Sequence, residues 1–139
     1  MRDDIKELIR KRRHCVLATA TGNQPYCSLM AYAANRACTR IYMATHRNTR
    51  KFSNLTENPM VSLLIDSRDS EAAQALTIEG ECAEVQSDTE EEQIRELLLN
   101  AHPYLNDFVS QPDTAYICIH AKSLIFLNGL TGAYRETLA

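Results

Sequence analysis

The sharpest chemical signal in the chain is Thr49, Arg50 and Lys51, a hydroxyl and two cations in consecutive positions where a polar loop gives way to a short helical pattern. Helix starts present backbone N–H groups that lack intrahelical partners, so this set of donors makes an anion site. Cations there oppose the helix macrodipole, and a sequence concerned with stability alone would place acids instead. Arg47, Arg50 and Lys51 together therefore ask for a compensating charge, which a bound phosphate supplies. A solvated basic face pairing with Glu57 or Asp66 accounts for the same residues equally well. His46, beside the loop, reads either as a ligand contact or as a plain surface residue.

Other residues with chemical potential read as structural. His14 and His120 fall at strand ends or within apolar segments, and His102 precedes Pro103 at a helix end, a capping position. The five cysteines, at positions 15, 27, 38, 82 and 118, include no CxxC pair and no histidine at zinc-ligand spacing, so no metal site is expected. Their scatter fits a reducing compartment, with Cys15, Cys27 and Cys118 as small core residues. No Ser/His/Asp order or paired-carboxylate spacing stands out, and no catalytic residue is assigned.

The elements that must position the basic loop follow from periodicity. Ile5, Leu8 and Ile9 give Asp3 to Arg13 the stripe of an amphipathic helix, with Arg10 to Arg13 serving as its basic end rather than as a nucleic-acid patch. Cys15 to Ala20 and Tyr26 to Ala34 read as antiparallel strands around a Gly22–Pro25 turn. In the second strand, Tyr26, Ser28, Met30 and Tyr32 share one face and Cys27, Leu29, Ala31 and Ala33 the other, and neither face looks solvated. Arg40 to Thr45 is a third strand, followed by a short helix with Phe52 and Leu55 that Pro59 ends. Met60 to Ile65 reads as a fully buried strand, and Leu76 to Val85 as a longer one with a bend or bulge at Gly80 and an apolar phase shift after Cys82. Ser87 and Glu90 form a capping box, opening a helix with Ile94, Leu97, Leu98 and Ala101 buried and Pro103 closing it. Ala115 to Ile119 and Ser123 to Leu127 are two further strands. The sum is an α+β domain, an antiparallel barrel of six or seven strands with three flanking helices.

Size and charge bound the rest. A chain of 139 residues suits a single domain spanning 1–139, and 45% hydrophobic with 24% charged residues is ordinary for a globular protein. A net charge of −3 argues against tracking a nucleic-acid backbone. No apolar run approaches the roughly 20 residues needed to cross a bilayer, and charges at Arg2, Asp3, Asp4, Lys6 and Glu7 stand where a secretory signal would be apolar. A cytoplasmic protein that binds neither nucleic acid nor membrane is expected.

The stretch IYMATHRNTRKFSNLTENPMVSLLID, from Ile41 to Asp66, resembles the flavin-binding core of the pyridoxamine 5′-phosphate oxidase-like family. That core runs a strand into Y-x-x-T, a polar loop, [ST]-R-K, a helix with N-[LI], and N-P before a V-S-L strand. Tyr42, Thr45, Thr49, Arg50, Lys51, Asn54, Leu55, Asn58, Pro59, Val61, Ser62 and Leu63 match it in order. Val16 to Thr19 with Gly22 and Pro25 resemble the opening hairpin, and Ile78, Glu79 and Gly80 the fifth strand. The resemblance implies a Greek-key split β-barrel holding FMN, with the phosphate on Thr49, Arg50 and Lys51 and with Thr45, His46 and Arg47 in the same site. It implies that the second strand lies along the isoalloxazine ring through Met30, Ala31 and Tyr32, with Ser28 near the ribityl chain. It further implies a homodimer with the flavin at the subunit interface, and an FMN-dependent oxidoreductase acting with a small-molecule redox partner.

The chain departs from true pyridoxamine phosphate oxidases in ending on GLTGAYRETLA, without their R-L-x-P substrate strand, and in carrying Gln74 one position from their flavin-contacting glutamine. Vitamin B6 oxidation is not expected, and the chain is closer to the short flavin proteins described as general-stress or nitroimidazole-resistance-like. A non-catalytic FMN carrier and a haem-binding relative, with His46 or a tyrosine as axial ligand, are the alternatives.

Overall fold

Helix α1, Asp3–Lys11, forms as its charges direct, with Asp3 and Asp4 in the first turn, Arg10 and Lys11 in the last, and Ile5, Leu8 and Ile9 buried. This computed structural model describes residues 1–68, 73–129 and 132–138. Strands β1, His14–Thr21, and β2, Gln24–Ala31, form a hairpin whose turn needs Gly22, held at φ +59°. A two-residue strand β3, Ala33–Ala34, precedes β4, Arg40–His46. Helix α2, Arg50–Glu57, and strands β5, Met60–Asp66, and β6, Gln74–Glu84, follow. Helix α3, Asp88–Ala101, leads through a 3-10 turn at Pro103–Leu105 to the one-turn helix α4, Asn106–Val109. Strands β7, Thr114–Asn128, and β8, Ala133–Thr137, complete the chain.

All eight strands belong to one antiparallel sheet in the order β2-β1-β5-β6-β7-β4-β3, with β8 on β7. The chain passes from β2 to β3 through a single residue, Tyr32, although these strands stand at opposite ends of the order. The sheet must therefore curl until its ends approach, which is a split barrel of the expected α+β kind. Leu17, Ile41, Met43, Leu63, Ile78 and Phe126 fill the interior. A second cluster, with Tyr42, Ala44, Ile94, Leu98 and Tyr116, seals the outer face of β4 and β7 under α3 and α4. Both faces of β4 are consequently covered, so five successive residues, Ile41 to Thr45, are buried.

Several local expectations need correction. The described residues hold eight strands and four α-helices rather than six or seven and three, since β3 and α4 are too short and β8 too polar to signal themselves. Ala115–Ile119 and Ser123–Leu127 are halves of the single strand β7. The irregularity foreseen at Gly80 is present, but the extra residue is Lys122 on β7, since Glu79 pairs Ser123 and Gly80 pairs Ala121. A Cβ at Gly80 would overlap the His120 carbonyl oxygen. β5 alternates instead of being fully buried, with Met60 57% exposed. On α3, Ile94 and Leu98 are buried while Leu97 faces out, and Ser87 caps the helix by accepting from the Glu90 N–H as the capping box requires. Cys15 and Cys118 are buried, but Cys27 is exposed on edge strand β2.

Candidate functional site

The loop between β4 and α2 is tied down before its cations are placed. Thr49 is the N-cap of α2: its hydroxyl accepts from the Phe52 N–H at 3.2 Å and donates to the His46 carbonyl at 2.8 Å. Asn54, buried one turn on, holds α2 against β1 by donating to Thr19 Oγ1 at 3.1 Å and accepting from the Thr21 hydroxyl at 2.6 Å. The first turn of α2 carries no acid. Its N-terminus is thus a capped start with two cations, Arg50 and Lys51, for which no acidic partner stands in the first turn.

Those cations are not equivalent. Arg50 is exposed, its guanidinium 4.8 Å from the centre of the Tyr26 ring on β2. Lys51 is half-buried, and its ammonium contacts the thioether of Met30 at 3.1 Å. Desolvation holds the Lys51 ammonium below its ordinary value of 10.5, because sulfur is too weak an acceptor to replace water.

Beside Lys51 lies an open groove of about 330 Å³ walled by β2 through Met30 and Ala31, by β4 through Ala44, and by Tyr104 and Phe108 from the segment after α3. Of the residues expected to meet a ligand, the structure gathers Met30, Ala31 and Lys51 here. Thr49 and Arg50 lie at the adjoining helix start, and Ser28 is half-buried on the core-side face of β2. The others turn elsewhere. Tyr32 is buried and donates to the Ile9 carbonyl at 2.6 Å. Arg47 pairs with Glu84 at 2.7 Å and donates to the Thr114 carbonyl, so its charge is already answered. His46 stacks on Phe108 at 4.0 Å and bonds the Phe108 carbonyl through Nε2. Thr45 is buried on the face shared with Ile41 and Met43, and its Oγ1 has no hydrogen-bond partner.

Two groove residues, His14 and Leu29, carry no ligand signal in the sequence. His14, at the start of β1, lines the groove and bonds the Tyr104 hydroxyl at 2.9 Å. Their separation of 90 positions leaves no local pattern that could have joined them. Leu29, 74% exposed, lines the same wall, and its register with Val16 and then Leu64 makes an apolar row across the outer face of the β2-β1-β5 edge.

The sequence profile of the pyridoxamine 5′-phosphate oxidase family matches residues 1–128. The chain belongs to this family. No curated protein matches its sequence. Among solved structures, a haem binding protein from Mycobacterium smegmatis superposes with a TM-score of 0.83 at 19% identity, covering 99% of this chain and 59% of that one. The chain thus spans about three-fifths of that relative. A protein related to general stress protein 26, of the pyridoxinephosphate oxidase family, from Clostridium acetobutylicum gives 0.79 at 15% identity, over 97% of this chain and 92% of that one. A FAD-binding protein from Mesorhizobium loti gives 0.75 at 18% identity, over 88% and 89%. At these identities the likeness is one of fold, and the fold of this pyridoxamine 5′-phosphate oxidase family member is shared by flavin-binding and haem-binding proteins alike. Among the described residues, no group of histidine, cysteine or acidic side chains is disposed to hold a metal ion, and no helix is long and apolar enough to cross a membrane.

Proposed function

We propose that this chain is an FMN-binding flavoprotein, acting as an oxidoreductase with a small-molecule partner, and that a second copy completes the flavin site. The observation that carries the reading is Lys51, a half-buried cation at a helix N-terminus whose contact is a thioether rather than an acid. A phosphate at this point would meet Lys51, Arg50 and the first N–H groups of α2 together. Thr49 would shape that cradle as its N-cap, its hydroxyl being already engaged at both ends. The ring system would then extend along Met30 and Ala31, where bound flavin supplies the electron-transfer chemistry and the protein supplies orientation.

The groove is open on one side, and the Leu29–Val16–Leu64 row continues from its rim. Apolar surface of this kind on an edge strand supports a homodimer, with the partner forming the missing wall. All five cysteines are free, which supports a reducing, cytoplasmic setting.

The test is spectral and then competitive. The purified protein should show flavin absorption, whereas a haem spectrum would overturn the reading. FMN and riboflavin are then titrated into wild type and Arg50→Ala. A loss of about 10- to 100-fold for FMN, with little change for riboflavin, is expected from a charged hydrogen bond worth about 1.5–3 kcal/mol. Equal losses for both ligands would remove Arg50 from the phosphate. Turnover with a nicotinamide donor separates an enzyme from a carrier.

A further inference from the structure

His14 is not an isolated side chain. His102, the residue that ends α3, is fully buried, and its Nε2 lies 2.8 Å from the Tyr32 carbonyl. A carbonyl only accepts, so Nε2 carries the hydrogen and Nδ1 offers a lone pair. The Tyr104 hydroxyl stands 3.5 Å from that Nδ1 and 2.9 Å from His14 Nε2. The rings of His14 and His102 are 5.6 Å apart, and Tyr104 meets His102 edge-on. Arg13, next to His14, donates to the Ala101 carbonyl, so the start of β1 is fastened to the end of α3.

This arrangement accommodates both charge states of His14 without a rotation. When His14 is neutral with its hydrogen on Nε2, that N–H donates to the Tyr104 oxygen and the hydroxyl donates to His102 Nδ1. When His14 is protonated the same two bonds persist and Nδ1 carries the second hydrogen. Neither state strands a polar group, which is the requirement for a residue that gains and loses a proton repeatedly. His14 is exposed and borders two cavities, the groove beside Lys51 and a neighbouring one lined by Lys11, Arg12, Arg13, Asp66 and Arg68.

We propose that His14, positioned by Tyr104 and His102, is the proton-exchanging residue of the groove. The inference rests on the flavin reading above. An acceptor reduced by hydride from bound reduced flavin gains two electrons and one proton and is left with an electron pair lacking its proton. Protonated His14 supplies that proton from Nδ1, the ring nitrogen not engaged by Tyr104. The N–H bond breaks, an O–H or N–H bond forms on the acceptor, and the neutral ring takes a proton back from solvent. The flavin is oxidised and the acceptor reduced. Among the described residues, the titratable and charged groups that touch His14 or line its two cavities are Lys11, Arg12, Arg13, Cys15, Asp66, Arg68, Lys51, His102 and Tyr104. Five cations against one carboxylate suit an acceptor that becomes anionic as it is reduced.

Two measurements test this. In ¹⁵N NMR spectra of the ligand-free protein, with the His14 ring signal assigned by its loss in His14→Gln, Tyr104→Phe should change the balance of His14 ring tautomers read from the nitrogen shifts and leave that of His120 in place. An unchanged His14 tautomer balance would overturn the relay. FMN-loaded protein is next reduced with dithionite and reoxidised by p-benzoquinone across a pH series. General acid catalysis contributes about 10²–10⁴-fold, so His14→Gln should slow reoxidation at least tenfold and flatten its pH profile when both proteins are compared at saturating FMN. Tyr104→Phe should shift the profile rather than flatten it. If FMN binds and the His14→Gln profile matches wild type, His14 is not the proton donor and the flavin reading stands. If no flavin binds, the reading fails and takes the proposal with it.

Discussion

Replacing Lys51 by methionine separates a residue kept for a ligand from one kept for the fold. The substitution preserves an unbranched apolar stem against Met30 and removes the charge. In the ligand-free protein that charge is partly desolvated with a thioether for company, so its loss should leave stability unchanged or raise it by about 0–1 kcal/mol. Binding should move the other way: a charge-assisted bond worth about 1.5–3 kcal/mol corresponds to roughly 10- to 100-fold weaker FMN affinity, with riboflavin nearly unaffected. A pH signature follows from the same cause. Because the folded-state pKa of Lys51 lies below its ordinary 10.5, the unfolded chain binds more protons at this residue between the two values, and the Lys51 contribution to stability rises with pH across that window. Lys51→Met should lose this rise. Urea melts of both proteins at several alkaline pH values, with flavin fluorescence titrations in parallel, provide the assay. A variant that is less stable by more than about 1 kcal/mol, and that weakens FMN and riboflavin alike, would show that Lys51 holds the fold and that no phosphate is its partner.

Other outcomes follow from single contacts. Gly80→Ala, whose methyl group would overlap the His120 carbonyl at the bulge, should lower the urea midpoint by an amount equivalent to about 1–3 kcal/mol with an unchanged m-value. Thr49→Ala removes the N-cap of α2 and should cost about 0.5–2 kcal/mol in the ligand-free protein, seen in the same melts. Leu29→Glu, placed on the exposed edge of β2, should convert a dimer to monomer in sedimentation velocity while the monomer keeps its circular dichroism; an unaltered sedimentation coefficient would move the interface elsewhere. Burial pushes the Cys15 and Cys82 thiols from an ordinary 9.0 up to about 12, and that of Cys118 to about 11. The unfolded chain is therefore the less protonated between those values, and these thiols should make stability fall as pH rises above about 9, with Cys82→Ala relieving part of the fall.

Much of the scaffold was legible because local and tertiary demands agree in it. α1 and α3 announce themselves by stripe and cap, and the β1–β2 hairpin by its glycine turn. β7 was not legible as one strand because the extra Lys122 breaks its alternation at the residues His120 to Ser123, where a reader sees a polar gap. Burial of β5 was overstated since Leu63 and Leu64 are both apolar, yet only Leu63 enters the interior. Within the candidate site, the Thr49–Lys51 helix start was visible because it is contiguous. The separation of Arg47 from Lys51 was not, as it depends on Glu84 arriving from 37 positions away. His14 was hidden for the same reason, its partners lying at the far end of α3.

The apolar outer face of β2 carries a different lesson. Sequence alternation there reads as burial on both sides, and a single chain leaves Leu29 and Cys27 uncovered on one of them. An edge strand with an outward apolar row is a liability that monomeric proteins blunt with charge or prolines. Here Leu29 stands 74% exposed although Lys11, Arg12, Arg13 and Arg68 line the same cavity, and Lys51 turns inward against Met30. Each feature is unfavourable to an isolated, ligand-free chain: the bare row, the open groove and the desolvated ammonium. One arrangement would relieve all three at once, with a phosphate on Lys51, a planar ring along Met30 and Ala31, and a second copy laid over Leu29. The groove and the row share Leu29, so ligand affinity and self-association should be thermodynamically coupled, each strengthening the other by the same factor. Titrating FMN into protein diluted to its dimer midpoint should therefore drive dimerisation, whereas flavin binding that ignores protein concentration would place the ligand within a single chain.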